Sequence, residues 1–259
     1  MLKPLLALAL CLLLAGCASG PRIDTQHASV GHDSRVQFIV VHYTSSDLAR
    51  SLEILKGDGV SSHYLIDEVP ATIYRLVDED RRAWHAGDSQ WQGRTWLNSS
   101  SIGIELVNRG YIEGEQGRLW YPYSEAQIEA LIVLLKDIMQ RHGLKPGAIV
   151  GHSDIAPQRK VDPGPLFPWK RLADAGLVPW PDAAVVARQR SLYALQLPEV
   201  AWFQAQLAAQ GYKVPAHGEL DEATRNVIAA FQMKYRPSRF DGQPDAETAA
   251  ILAALSAAS

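Results

Sequence analysis

Cysteine is nearly absent from this chain. Its 259 residues hold two, Cys11 and Cys17, both within the first seventeen positions. No disulfide framework can hold the body of the protein, and a domain of this size does not need one. A metal bound in that body must be held by His and carboxylate groups. An excess of basic charge is also missing. The 25 Lys and Arg stand against 28 Asp and Glu, giving a formal net charge of -3, and the basic residues are scattered. That excludes the electrostatic footprint of nucleic-acid binding. The leading apolar stretch, Leu5 to Ala15, is too short for a comfortable transmembrane helix, which needs about 20 residues. With 47% hydrophobic and 20% charged residues, wholesale disorder and collagen-like repetition are excluded as well. The length suits one large domain or two unequal ones.

The chain starts Met1-Leu2-Lys3-Pro4, continues through the apolar run and reaches Ala15-Gly16-Cys17. A short basic start, an apolar stretch and small residues describe a secretory signal. Leu14-Ala15-Gly16-Cys17 also resembles the bacterial lipoprotein signal, cleaved before a cysteine that receives a diacylglycerol thioether. The expectation is therefore a signal peptide over 1–16, lipid on Cys17 and a tether over 17–34. That tether shows no sustained apolar period. Two acyl chains anchor stably where one would be marginal. The expected location is the bacterial cell envelope, at the periplasmic face of the outer membrane.

Beyond the tether, Val36 to Val41 is a β-branched run of strand length leading into His42. A helix is expected around Ala49–Lys56, and strands over Ser62–Ile66, Thr72–Val77, Ser101–Val107 and Ala148–Val150. Ser124 to His142 is the clearest helix. Ser124 and Gln127 suit a capping box, Ile128, Leu131, Leu135, Ile138 and Met139 form one face, and Gly143 supplies the stop. Strands mixed with helices predict an α/β domain, a mixed central sheet flanked by helices, over 35–176. The Pro-Trp-Pro segment marks a linker over 177–190. Over 191–259 the spacing predicts three helices forming a small domain able just to sustain its own core. They are Leu192–Gln210, with Leu195, Val200, Phe203 and Leu207 on one face; Asp221–Tyr235, with Val227, Ile228 and Phe231 inward; and Asp245–Leu255.

A zinc hydrolase needs three protein ligands and an open position for water. His42 at a strand end and His152 after Ile149-Val150 have the rigid support that ligands require. Asp162 lies ten residues beyond His152, so the two can meet only through a loop. Spacing alone leaves the trio open, because a lone His is more often a surface or satisfied core residue.

Five segments sharpen this reading. Val40-Val41-His42-Tyr43-Thr44, Ser61-Ser62-His63-Tyr64-Leu65-Ile66, Ala83-Trp84-His85-Ala86-Gly87, Ser101-Ile102-Gly103-Ile104-Glu105-Leu106 and Gly151-His152-Ser153-Asp154 through Asp162-Pro163-Gly164 occur in that order. Together they resemble the zinc-dependent N-acetylmuramoyl-L-alanine amidases, the group related to peptidoglycan recognition proteins. The resemblance implies a Zn2+ held by His42, His152 and Asp162. It implies Glu105 as the acid and base, a role suited to a carboxylate whose pKa partial desolvation raises. It implies Lys160 as the cation that steadies the oxyanion. Some relatives place a catalytic tyrosine where this chain has Ser62, which leaves the proton transfers to Glu105. Trp84, His85 and Asn108 resemble the family's substrate-contacting segments, and His63 is a further cleft candidate. Trp91, Trp96 and Trp120 are open to either sugar stacking or the core.

The tail, through Gly211-Tyr212, Gly218 to Thr224 and Phe231-Gln232, resembles a three-helix peptidoglycan-binding module. The expected function is hydrolysis of the amide between the muramic acid lactyl group and L-alanine, with peptidoglycan and muropeptides as partners. Two rivals stand beside it: a non-catalytic peptidoglycan-recognition protein, which usually lacks the third ligand, and a zinc peptidase acting on stem peptides.

Overall fold

The computed structural model describes residues 20–115 and 117–257. The described residues fall into two units, 20–33 and 34–257. The first has no helix or strand and is held by local bonds such as Gln26 N–H to Asp24 Oδ1 at 2.9 Å. Cys11, Cys17 and the expected signal lie outside the described residues. Among those residues no helix is long and apolar enough to cross a membrane.

The second unit is built on a five-stranded sheet. In chain order its strands are β1 (Phe38–Tyr43), β2 (Tyr64–Ile66), β3 (Ile73–Arg75), β6 (Ser101–Leu106) and β9 (Ile149–Gly151). The short pairs β4 (Gln90–Trp91) with β5 (Arg94–Thr95), and β7 (Tyr111–Gly114) with β8 (Gly117–Trp120), lie outside it. The sheet order is β3-β2-β6-β1-β9, parallel except for β3. The mixed sheet flanked by helices expected from the sequence is thus borne out. The helices are α1 (Leu48–Leu55), α2 (Glu125–His142), α3 (His152–Ile155), α4 (Trp169–Asp174), α5 (Ala183–Leu195), α6 (Val200–Ala209), α7 (Glu222–Tyr235) and α8 (Ala246–Ser256).

Strand alternation sorts the side chains onto two faces. Ile39, Val41, Ile102, Ile104, Leu106 and Ile149 join a buried cluster with Ile128, Leu131, Leu135 and Ile138 of α2 and Trp169 and Leu172 of α4. Phe38, Val40 and Val150 face the other way. Helix α2 forms where the periodicity places it, with Ser124 accepting from Gln127 N–H. Its capping box is only half made. The Gln127 amide is buried and donates to Ile66 O and Val107 O at 3.0 Å each, tying the ends of β2 and β6 to the helix.

The C-terminal part differs from expectation in three ways. Leu192–Gln210 is two helices, because Pro198 has no N–H to give and its ring collides with the preceding turn. Leu195, assigned to the core face, is 87% exposed. Most of the expected linker is helix α5, which has no buried residue and so no apolar stripe to announce it. Third, the module does not keep a core of its own. Phe203, Leu207, Val227, Ile228 and Phe231 share one buried cluster with Phe38, Val40, Trp91, Val150 and Ile155.

Within the module one lock occurs twice. Gln204 on α6 accepts from Gly218 N–H and donates to Thr224, whose own N–H is capped by Asp221. Gln232 on α7 does the same with Gly242, Thr248 and Asp245. Both loops read Gly-x-x-Asp-x-x-Thr after a Phe-Gln pair, and both glycines have positive φ, 81° and 73°, a region that glycine enters without steric cost.

The shared cluster makes a prediction. Phe231→Ala should cost about 3–5 kcal/mol and lower a single cooperative melting transition of residues 34–259 by roughly 10 °C. Scanning calorimetry checks it. A two-step melt with the sheet's transition unmoved would contradict a common core.

Candidate active site

The site forms at the carboxyl ends of three adjacent parallel strands, where open α/β sheets bind ligands. Glu105 is the penultimate residue of β6 and pairs in register with His42, the penultimate residue of β1. Parallel register puts both side chains on one face. Next to them β9 ends at Gly151, and His152 opens α3. Asp162 arrives from the loop after α3, and its carbonyl accepts from Ser153 N–H at 2.8 Å.

His42 Nδ1 lies 2.9 Å from His152 Nδ1, and each is 3.1 Å from Asp162 Oδ2. All three residues are buried. Their far sides decide what these atoms are. Ser101 Oγ donates to Leu97 O, so it accepts from His85 Nε2–H, and His85 Nδ1 is left to accept from His42 Nε2–H at 3.1 Å. His152 Nε2 faces Ala86 O at 3.3 Å and the Arg159 guanidinium at 3.4 Å; in the tautomer that donates to the nearer carbonyl, its Nδ1 keeps a lone pair. Both Nδ1 atoms therefore present lone pairs, toward each other and toward a carboxylate. Three acceptors around one point, with no donor among them, fit a cation. A His₂Asp set with edges near 3 Å is of the size that donors about 2.0–2.2 Å from one zinc ion would form.

Electrostatics agree. Burial lowers the His42 pKa to about 4, helped by His152 and opposed by Asp162. Burial alone would raise Asp162, yet His152 and His42 outweigh it and hold the carboxyl well below its ordinary range. Glu105 is pushed up to about 8 by burial and by the Asp162 charge, against the pull of Lys160. Its Oε2 is buried with no hydrogen-bond partner. Lys160 lines the same cleft, a space of about 430 Å³.

The four substrate-contact candidates divide. Trp84 is 48% exposed on the cleft rim, its ring under the Arg82 guanidinium at 4.4 Å. His85 borders the cleft but is buried, with both ring nitrogens spent on His42 and Ser101. Through the first of these bonds it supports His42. Gly103 explains how it fits there, since a Cβ at that position would meet the His85 ring at 2.4 Å. His63 is buried, accepting from Gly103 N–H and donating to Arg81 O, so it braces the strands. Asn108 is also internal, accepting from Gly110 N–H and donating to Tyr121 O and Pro122 O. Of the three tryptophans, Trp91 is core, Trp96 is exposed and Trp120 packs on Tyr111 at 4.9 Å. Sequence reasoning did not single out Ser101, the Ala86 carbonyl or Arg159, whose side chain donates to Ala86 O and Asp88 O and pins that strap. Only the short Ala86-Gly87 step beside a histidine hinted at so close an approach.

Fold and site together define a hydrolase with a histidine–carboxylate cluster at the rim of a mixed sheet. A family model described as N-acetylmuramoyl-L-alanine amidase matches residues 32–165, and one described as a putative peptidoglycan binding domain matches 196–252. The chain belongs to the N-acetylmuramoyl-L-alanine amidase family. It is 45% identical over 262 residues, 95% of each chain, to the N-acetylmuramoyl-L-alanine amidase AmiD of Escherichia coli. The structure of AmiD from E. coli with anhydro-N-acetylmuramic acid-L-Ala-D-gamma-Glu-L-Lys superposes with TM-score 0.83 at 44% identity, covering 92% of this chain and 95% of that one. AmpDh3 from Pseudomonas aeruginosa, in complex with anhydromuramic pentapeptide, does so with TM-score 0.85 at 38% identity, covering 93% and 99%.

The buried histidines predict an acid-sensitive metal-free protein. His42 and His63 both titrate near 4 in the fold, against 6.5 when exposed. Above pH 6.5 both states are neutral there and nothing is lost. As pH falls from 6.5 to 4 only the unfolded chain takes up protons, so stability drops by up to roughly 3 kcal/mol for each histidine. The melting midpoint of metal-free protein should fall steadily across that window. A flat midpoint would refute neutral burial.

Proposed function

We propose that this chain is a zinc-dependent N-acetylmuramoyl-L-alanine amidase, cutting the amide between the muramic acid lactyl group and L-alanine of the peptidoglycan stem peptide. The observation that carries the reading is the triangle of acceptors from His42, His152 and Asp162 beside the unpartnered oxygen of Glu105. Zinc held by these residues would polarise the amide carbonyl and acidify a water molecule. Glu105 Oε2 takes the proton of the attacking water and returns one to the leaving amine. A carboxyl that burial keeps near neutrality in pKa can do both. The Lys160 ammonium faces the developing oxyanion. Trp84 forms the open wall of the cleft. The solved complexes of AmiD and AmpDh3 contain anhydromuramyl peptides, which supports muropeptides and peptidoglycan as substrates for this chain too. Lipid on Cys17 would hold the enzyme at the periplasmic face of the outer membrane.

Mass spectrometry of digested muropeptides tests the bond cut. Sugar ends bearing a free lactyl carboxylate are expected; shortened peptides still attached to sugar would establish a peptidase instead. Glu105→Gln should keep zinc while losing about 10²–10⁴-fold in kcat, and a near-normal rate would remove Glu105 from the chemistry. Cys17→Ser should move the protein from the membrane fraction to the soluble one, an outcome that fractionation reads directly; unchanged membrane partition would end the anchor proposal.

A further inference from the structure

Asp154 sits two residues past a metal-site histidine and is 1% exposed, with both carboxylate oxygens bonded by other residues. Oδ2 accepts from Gly151 N–H at 2.8 Å and from Lys234 Nζ at 2.8 Å, while Oδ1 accepts from Tyr212 Oη–H at 2.7 Å. Gly151 is the residue from which α3 starts and His152 is the first of its four residues. So short a helix has little hydrogen bonding of its own; Ala156 N–H to His152 O is its closing bond. The Asp154–Gly151 contact closes the turn at which His152 leaves the sheet. The same turn holds the other ligand loop through Ser153 N–H and Asp162 O.

The two side chains that fix Asp154 come from the C-terminal module, 58 and 80 residues away in sequence. Lys234 is buried on α7 with its ammonium 4.2 Å from the centre of the Trp169 ring. Tyr212 stands edge-on to Trp91 at 4.8 Å. A buried ion pair adds little stability over an apolar replacement of the same shape, so burial of this one is poorly explained by stability alone. What it does supply is a fixed carboxylate under the metal-site turn.

We propose that Lys234 and Tyr212 are positioning residues of the metal site. Acting through Asp154, they aim His152 and Asp162, so the C-terminal module is a structural part of the site and not only an attachment to the wall. The proposal rests on the zinc reading given above. Zinc affinity, measured on the full soluble chain by competition with a chromophoric chelator, separates positioning from plain stabilisation. Lys234→Met, which keeps length and loses the charge, should weaken zinc binding about 10–100-fold, as loss of a ligand's support does elsewhere. Tyr212→Phe should weaken it several-fold. Leu252→Ala, in the module core on α8, should lower the melting midpoint and leave zinc affinity unchanged. In an Asp154→Asn background, Lys234→Met should add no further loss, since its effect runs through that carboxylate. Equal zinc affinity in Lys234→Met and wild type overturns the proposal, as does equal weakening by Leu252→Ala. If Lys234→Met does not fold, Tyr212→Phe decides in its place, and unchanged zinc affinity there overturns the proposal equally. Wild-type chain that binds no zinc would sink the metal reading itself, a result distinct from wild type and variants binding alike.

Discussion

Two imidazole nitrogens and a carboxylate oxygen lie within 3.1 Å of one another, and the tautomers that serve His85 and the Ala86 carbonyl leave no proton to share among them. Left alone, such a group would rotate apart or take up protons. Much of the surrounding structure prevents both. His42 cannot turn because its other nitrogen is committed to His85, and His85 is committed to Ser101 and packed against a glycine. His152 is committed to the Ala86 carbonyl. Protonation is resisted by burial, which lowers the pKa of His42 and takes that of His85 well below 6.5. A cation placed among the three would relieve the arrangement, which is what preorganisation for a metal means.

The strap from Trp84 to Asp88 shows how compactly this is done. Consecutive residues give the cleft an exposed indole, support His42 by a side chain and support His152 by a carbonyl. Arg159 clamps the strap from the far side, three residues before Asp162. The C-terminal module meets the site in the same economical way. Because it shares the sheet's core and grips Asp154, its orientation relative to the cleft is set by close packing, which does not bend continuously. A wall strand held by that module would therefore meet the cleft at a fixed angle.

Patterning reveals β1, β6 and β9 as short apolar runs because both of their faces are buried, and α2 because its single apolar face leaves a period in the sequence. It misses α5 for the complementary reason: no residue of that helix is buried. The histidine–carboxylate cluster is not legible from spacing. His42 and Asp162 are 120 residues apart, and only the ordered set of five motifs brings them together. The roles of His85, His63 and Asn108 are unreadable on different grounds. Motif similarity reports that a residue is needed near the site, but which way its ring faces depends on hydrogen bonds such as Ser101 to Leu97 O that leave no trace in a pattern. The doubled Phe-Gln and Gly-x-x-Asp-x-x-Thr lock is present in the sequence, yet it escapes a search for fixed-period repeats because its two copies differ in loop length.

Burial of the motif residues moves specificity to the cleft walls. The polar residues carrying the strongest motif signal are mostly consumed internally: His63, His85, Asn108 and Asp154 are all buried and bonded to protein. The cleft is also lined by Ile54, Val60 and Trp84, which are apolar and partly exposed, and by the cationic Lys160 and Arg159. Apolar and cationic side chains in one cleft suit a molecule with a carbon-rich face and carboxylates, and a single added methylene against an apolar side chain changes affinity by only about 1–3 kcal/mol. Chains sharing every catalytic motif can therefore differ in preferred substrate through Ile54 and Val60, which line the cleft but lie outside the five motifs.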